Sequence, residues 1–104
     1  QLVFILQRGV RFPQGPPFMN FSVYLLISKI KDSYVSYVGY TKNLKNRIKL
    51  HNSGKGAKFT KGKNWILVYE KRYNNKSDAM KAEYKLKNDK KKRLFIKMKY
   101  INSL

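Results

Sequence analysis

The sequence contains no cysteine and a single histidine. The absence of cysteine excludes disulfide bonds, thiolate metal sites and a cysteine nucleophile, and it fits a reducing compartment. One histidine cannot hold a structural zinc ion without cysteines to complete the ligand set. No apolar run approaches the roughly 20 residues that a membrane-spanning helix needs, so no membrane span is expected.

Acidic residues are also scarce, because the 104 residues include five Asp and Glu against 24 Lys and Arg, a formal net charge of +19. Such an excess repels itself in the folded state, and a polyanion would relieve the repulsion and release counterions as it binds. The charge therefore favours a nucleic-acid partner, with an anionic membrane surface or a ribosomal scaffold as alternatives. So few carboxylates argue against a two-metal nuclease site built from clustered acids.

Residues 1–18 differ in composition from the rest of the chain. They hold all three prolines and no lysine, whereas lysine is dense from Lys29 onward. We interpret 1–18 as an atypical N-terminal extension or leader, and 19–104 as one small domain. With 42% hydrophobic residues, that domain can bury one modest core.

Hydrophobic periodicity predicts a small α/β domain of the α+β type, with a three-stranded, mainly antiparallel sheet flanked by helices in the order β-β-α-β-α-α. A polar turn joins the first two strands into an antiparallel hairpin. Thr41 or Asn43 is expected to cap the first helix, and Ser77 the second. The predicted strands span residues 21–27, 34–39 and 65–69, and the helices span about 44–52, 78–87 and 94–101.

Glu83 is the acidic residue with the most informative position. Ala79, Glu83 and Leu86 share one helical face, which places a carboxylate near the core side of a lysine-rich helix. A lone buried carboxylate needs a partner, and a divalent cation is one option. The alternative is a surface ion pair with Lys87, four residues further on, and helical position alone does not separate the two. Glu70 is expected at the end of an element.

Several motifs together resemble the GIY-YIG nuclease domain from about residue 21 to residue 96. They are Ser22-Val23-Tyr24, Tyr37-Val38-Gly39, a helix with Arg47 and then His51, the run GKGAKFT, a Trp-led strand, and an Ala-rich helix with Glu83. The chain is most similar to the small stand-alone bacterial members and to the catalytic module of the eukaryotic structure-specific endonuclease. Ser22-Val23 departs from the Gly-Ile of the name motif, but the tyrosine that follows carries the chemistry.

The resemblance implies a metal-dependent DNA endonuclease that hydrolyses phosphodiesters with little sequence specificity, in repair or recombination. Tyr24 would act as general base or orient the attacking water, and Tyr37 would position water or phosphate. An ordinary phenol is a poor base at neutral pH, so nearby cations would have to lower the pKa of Tyr24. Arg47 would bind the scissile phosphate. His51 would bond phosphate or Tyr24, or assist proton transfer, and Glu83 would ligate one Mg²⁺ or Mn²⁺.

Lysines around this centre are expected to contact phosphates without reading bases. They are Lys42, Lys45, Lys49, Lys55, Lys58, Lys61 and Lys63. Phe59 and Trp65 are candidates for stacking on bases, although Trp65 at the start of a strand also suits the core.

DNA is the expected partner, with a scaffold or specificity subunit as a further one. The expected location is intracellular, either cytoplasmic or nucleoid-associated, or nuclear in a eukaryote. Two rival interpretations stay open: a non-catalytic DNA- or RNA-binding protein, and the catalytic part of a homing endonuclease. The charge supports the binding protein equally well. Glu83 favours the nuclease, because phosphate binding gains nothing from a carboxylate.

Overall fold

The computed structural model describes residues 20–104, so the interpretation of 1–18 lies outside the described residues. The described chain follows the predicted order β-β-α-β-α-α, with a 3-10 turn at Lys58–Thr60. The elements are β1 Phe21–Ile30, β2 Ser33–Thr41, α1 Leu44–Asn52, β3 Ile66–Tyr73, α2 Lys76–Lys87 and α3 Lys90–Ile101. The fold class is therefore confirmed. Of the helices within 20–104, none is long and apolar enough to cross a membrane.

The sheet has the strand order β2-β1-β3, and β1 pairs antiparallel with both neighbours. Its central strand β1 is buried continuously from Ser22 to Ser28, which fits the uninterrupted apolar run that predicted burial on both faces. Residues opposite one another in neighbouring strands share a face of the sheet. Tyr24 lies opposite Gly39 on one side and Glu70 on the other, so these residues form one row across the sheet.

Each face of β1 has its own core. Val23, Leu25 and Ile27 pack against residues of α2 and α3, including Ala79 and Ile96. On the opposite face, the core consists of Tyr24, Leu26, Leu44, Ile48, Trp65 and Leu67. The second core is the smaller one, and among the helices of residues 20–104 it is α1 that contributes to it, through Leu44 and Ile48.

Several predicted boundaries are wrong because side-chain caps are hard to assign from sequence. Asn75 rather than Ser77 caps α2, and its side chain accepts a hydrogen bond from the Asp78 amide at 2.8 Å. Asp89 caps α3 and accepts from the Lys92 amide at 3.0 Å, so α3 begins at Lys90 and includes four basic residues expected to precede it. For α1, Asn43 is the cap.

The placement of Glu70 at the end of an element is also wrong. Glu70 lies inside β3 and is only 1% exposed. Its Oε2 accepts a hydrogen bond from the Ser22 hydroxyl at 2.5 Å and lies 3.2 Å from Arg72 Nε. Its Oε2 has both a hydrogen-bond donor and a cation, and the donor, Ser22, reaches it only because β1 pairs with β3.

Glu70→Gln should destabilise the fold, because the isosteric amide removes the charge that Arg72 pairs with inside the protein. We expect the free energy of unfolding to fall by about 2 kcal/mol in urea denaturation. Asp32→Asn is the matched control, since Asp32 lies exposed in the β1–β2 turn. It should change stability by less than about 0.5 kcal/mol. Equal effects of the two variants would contradict the role of the buried carboxylate.

Candidate active site

Tyr24, Tyr37, Arg47 and Glu83 line one open cleft of about 360 Å³, together with Gly39, Tyr40 and Thr41. The catalytic candidates come from four different elements, β1, β2, α1 and α2. Residues 59 positions apart in the chain therefore converge on one surface depression. Of the five predicted catalytic residues, His51 is the one that does not line it.

The hairpin register and the first helix place these side chains. Tyr24 and Tyr37 lie on the same face of the sheet, since Tyr24 pairs with Gly39 and Tyr37 pairs with Leu26. On α1, buried Leu44 and Ile48 anchor the helix to that face. Arg47 and His51 are four residues apart, so they occupy adjacent turns of one side of α1 and both point toward the tyrosines.

Gly39 is required by the close approach of Tyr24. A Cβ atom at position 39 would lie 2.5 Å from Tyr24 Oη and 2.7 Å from Cζ. Those distances are far inside van der Waals contact, so any side chain there would displace the phenol. The glycine that ends the second motif is therefore a steric requirement, because the Tyr24 ring lies across the backbone of β2.

His51 lies behind Tyr24 and is fully buried, with 0% of its surface exposed. Its Nε2 is 2.9 Å from Tyr24 Oη, and its Nδ1 is 2.8 Å from Thr60 Oγ1. Of the roles that the resemblance implies, direct contact with phosphate does not fit a fully buried ring. The hydrogen bond to Tyr24 is present, so His51 can act on substrate only through the phenol.

Burial sets the protonation states of this pair. It raises the pKa of Tyr24 to about 12, and the hydrogen bond from Arg47 offsets only part of that rise. The expectation that cations lower the pKa of Tyr24 overall is therefore wrong, because loss of water outweighs them. Burial, and then the positive charge of Arg47, lower the pKa of His51 below its ordinary 6.5. At neutral pH, the phenol holds its proton and the imidazole is neutral.

Arg47 connects the two tyrosines within the cleft. Its guanidinium interacts with the hydroxyls of Tyr24 and Tyr37, and these interactions raise the pKa of Arg47. Because a guanidinium carries five donors in a rigid plane, these contacts leave donors for a phosphate while they hold the plane in place. Arg47 is half-buried, so its charge is exposed to the cleft and only partly screened by water.

Glu83 makes the ion pair with Lys87 that one of the two interpretations of its sequence position predicts, and it also lines the cleft. Its side chain is 19% exposed and lines the cleft, while Oε1 lies 3.4 Å from Lys87 Nζ. Residues 20–104 hold no cluster of three or more His, Cys, Asp or Glu that could bind a metal. A single carboxylate nevertheless fits Mg²⁺, which keeps several waters and takes phosphate oxygens as further ligands.

The predicted phosphate-binding lysines lie on α1, just before it, and in the loop that follows it. All are exposed except Lys63, which is half-buried. Lys63 Nζ donates to the Phe59 carbonyl at 2.8 Å and lies 4.9 Å from the centre of the Phe59 ring. Trp65 is buried and its Nε1 donates to the Thr60 carbonyl at 3.0 Å, so of its two predicted roles the one in the core is confirmed.

Sequence reasoning missed three residues that support the site. Gly56 packs so closely on His51 that a Cβ there would overlap the imidazole ring, and Thr60 binds the other side of that ring. Asn52 joins the end of α1 to β3, because its Oδ1 accepts from the Trp65 amide at 2.6 Å and its Nδ2 donates to the Trp65 carbonyl at 3.3 Å. The run GKGAKFT, which contains Gly56 and Thr60, was the available signal.

A family model described as the GIY-YIG catalytic domain matches residues 20–100. The chain belongs to the GIY-YIG family. A UPF0213 protein of Staphylococcus haemolyticus is 48% identical over 65 residues, which cover 62% of this chain and 78% of the relative. The UPF0213 protein YazA of Bacillus subtilis is 42% identical over 79 residues, which cover 73% of this chain and 79% of the relative. No solved structure matches this GIY-YIG chain significantly.

The pKa of His51 can be measured without resonance assignment, because it is the only histidine in the chain. An NMR titration should give a pKa below 6.5, since burial and Arg47 both disfavour the imidazolium. Arg47→Gln should raise that pKa, but not to 6.5, because burial is the larger cause. The matched control is Lys49→Gln, which removes an exposed charge from the same helix and should leave the pKa nearly unchanged.

The same shift predicts how stability depends on pH. Below pH 6.5, the unfolded chain binds a proton at His51 before the folded chain does. The contribution of His51 to the free energy of unfolding is therefore complete above pH 6.5 and decreases as pH falls below it. A measured pKa above 6.5 in the folded protein would contradict both statements.

Proposed function

We propose that this GIY-YIG protein is a metal-dependent DNA endonuclease that hydrolyses phosphodiesters with little sequence specificity. The observation that carries the proposal is the convergence of the Glu83 carboxylate, the Arg47 guanidinium and the Tyr24 hydroxyl in one open cleft. A phosphate entering that cleft meets a cation that can hold it, a hydroxyl that can act on water and a carboxylate suited to a divalent ion.

Arg47 binds the scissile phosphate through guanidinium donors and stabilises the negative charge that develops on its oxygens. Tyr37, hydrogen-bonded to Arg47, helps to hold that guanidinium and borders the position of the attacking water. Glu83 would hold one Mg²⁺ or Mn²⁺, which when bound neutralises phosphate charge and assists departure of the leaving oxygen.

Tyr24 and His51 act together as the base. With its pKa near 12, the Tyr24 phenol cannot accept a proton unless it gives one up. Water attacks phosphorus and passes its proton to Tyr24 Oη, while the phenolic proton moves to neutral His51. A P–O bond to water forms, and the P–O bond to the leaving group breaks; its electron pair passes to the leaving oxygen, which takes a proton from solvent in the open cleft. The imidazolium is buried beside Arg47, which favours return of the proton after cleavage.

DNA is the proposed substrate, because exposed lysines on and after α1 suit contacts with a phosphate backbone and not with particular bases. A purely binding protein would have the same charge, but it would gain nothing from Glu83 beside the phosphate-binding arginine. Selectivity for branched DNA, a scaffold or specificity subunit, and an intracellular location stay predictions.

Glu83→Gln should abolish cleavage while preserving DNA binding, because it removes one negative charge at nearly constant volume. We expect nicking of supercoiled plasmid in Mg²⁺ or Mn²⁺ to fall at least about 100-fold. Binding, measured by fluorescence anisotropy in EDTA, should not weaken. Asp78→Asn is the matched control, since Asp78 is an exposed acid in the first turn of the same helix and should leave nicking at the wild-type rate.

Two outcomes would contradict the proposal at different points. Nicking by Glu83→Gln at the wild-type rate would refute the metal-binding role of this residue. If wild-type protein nicked no supercoiled, linear or branched DNA in either metal yet bound DNA, the protein would be a nucleic-acid-binding protein instead.

A further inference from the structure

We infer that Thr60 is a positioning residue that fixes His51 in the tautomer able to receive the Tyr24 proton. The inference rests on the proposed function and adds a residue to its proton transfer. Thr60 ends the 3-10 turn at Lys58–Thr60 and is fully buried. Its hydroxyl has two partners at the same distance, because Oγ1 lies 2.8 Å from His51 Nδ1 and donates to the Ala57 carbonyl at 2.8 Å.

The donor count of these groups decides the tautomer. A hydroxyl has one proton, and the Ala57 carbonyl can only accept, so the Thr60 proton is committed to Ala57. Thr60 Oγ1 must then accept from His51, which requires N–H at Nδ1. A neutral imidazole has only one N–H, so Nε2 carries a lone pair directed at Tyr24 Oη, 2.9 Å away.

The opposite tautomer would place a lone pair on Nδ1 against the Thr60 oxygen and an N–H on Nε2 against the phenol. Thr60 would have to turn its proton away from Ala57, and that carbonyl would lose the hydroxyl and keep only the Thr60 amide at 3.1 Å as a donor. Arg47 also donates to Tyr24 Oη, so the phenolic proton is free to point at His51. The arrangement with N–H at Nδ1 therefore keeps the hydrogen bonds of Thr60 to both His51 and Ala57, whereas the opposite tautomer loses the one from the hydroxyl to Ala57.

The groups that face His51 keep it neutral and hold its ring. Tyr24 and Tyr37 approach from the two strands, with the Tyr37 ring centre 4.9 Å from that of His51, and Arg47 approaches from α1. On the loop side, Gly56 packs against the imidazole so closely that a side chain there would overlap it. The ring therefore has little room to rotate, and Thr60 selects which nitrogen carries the proton.

The test uses Thr60→Val, which keeps the shape of the side chain and removes the hydroxyl, and Thr60→Ser, which keeps the hydroxyl. Nitrogen-15 NMR of the single histidine reports directly which ring nitrogen is protonated. We expect N–H at Nδ1 in the wild type and Thr60→Ser, and a population of Nε2–H in Thr60→Val. For cleavage, kcat of Thr60→Val should fall about 10- to 100-fold with KM unchanged, and Thr60→Ser should restore most of it.

N–H at Nε2 in wild-type protein would overturn the inference, whether or not either variant folds. Retention of the Nδ1–H form in folded Thr60→Val would overturn it as well. The NMR measurement needs no substrate, so it separates this inference from the proposed function. A tautomer change in a protein that cuts no DNA would refute the nuclease and leave Thr60 as the residue that orients His51.

A different observation supports a second proposal, concerning Phe59 in the same 3-10 turn. Phe59 is 50% exposed, and Lys58 and Lys61, which lie near it in the chain, are exposed cations. Lys63 Nζ lies 4.9 Å from its ring centre, and Trp65 holds it from the protein side at 6.1 Å. An aromatic face fixed among lysines has the chemistry of a site where a nucleobase stacks beside its phosphates.

We propose that Phe59 stacks on an unpaired base next to the cleft, which favours substrates with single-stranded segments. Trp65, which contacts Phe59, lies with its ring centre 6.3 Å from that of Tyr37, and Tyr37 lines the cleft. The exposed Phe59 ring is therefore connected to Tyr37 in the cleft through a single intervening ring, that of Trp65. Bases in a duplex are already stacked on one another, so only an unpaired base can use this surface.

Binding in EDTA separates this proposal from cleavage. Phe59→Ala should weaken binding of a single-stranded oligonucleotide about 10-fold and leave a duplex of the same sequence unaffected. Phe59→Tyr should bind as the wild type does. Phe95→Ala is the matched control, because Phe95 is 68% exposed on α3, a helix that packs against α2 and β3. Unchanged single-strand binding by Phe59→Ala, or equal loss on the duplex, would overturn the proposal.

Discussion

The contact between the Tyr24 ring and the backbone of Gly39 is the constraint on which the site depends. It lets the phenol cross the sheet face and meet His51 behind it and Arg47 beside it. The hairpin register places Tyr24 and Gly39 opposite each other, and the absence of a Cβ at Gly39 allows the Tyr24 ring to lie against the backbone of β2. Without that approach, Arg47 would face Tyr37 but not the Tyr24 hydroxyl.

The site also resolves an electrostatic problem of a chain with a net charge of +19. Burial disfavours the charged form of either group, and Arg47 further disfavours an imidazolium, so the buried pair of Tyr24 and His51 is neutral at rest. Charge is placed where water or substrate can reach it, on Arg47 and Glu83 at the cleft surface. Two of the few acids in the sequence have defined surroundings. Glu83 faces the cleft, and Glu70 is enclosed by its partners in the sheet.

Much of this architecture is readable from the sequence because it depends on local patterns. Alternation and apolar runs indicated the hairpin and its neighbours, and a four-residue spacing indicated that Arg47 and His51 share a side of α1. The burial of His51, the pairing of Glu70 and the function of Thr60 depend on which loop or strand lies opposite. Contacts between segments that are distant in the chain produce no periodic pattern in the sequence. The direction of the Tyr24 pKa shift was missed for a related reason, because composition counts cations but does not measure how much water burial removes.

The loop at residues 53–64 contains two sets of residues, which alternate along its length and face opposite ways. Lys55, Lys58 and Lys61 point into solvent, whereas Gly56 and Thr60 press against the imidazole. Substitutions at the first set are expected to change only how the surface meets a polyanion. Substitutions at the second set reach the proton-transfer pair. The exposed lysines of this loop can therefore be replaced one at a time, whereas Gly56 and Thr60 can change only together with the imidazole that they contact.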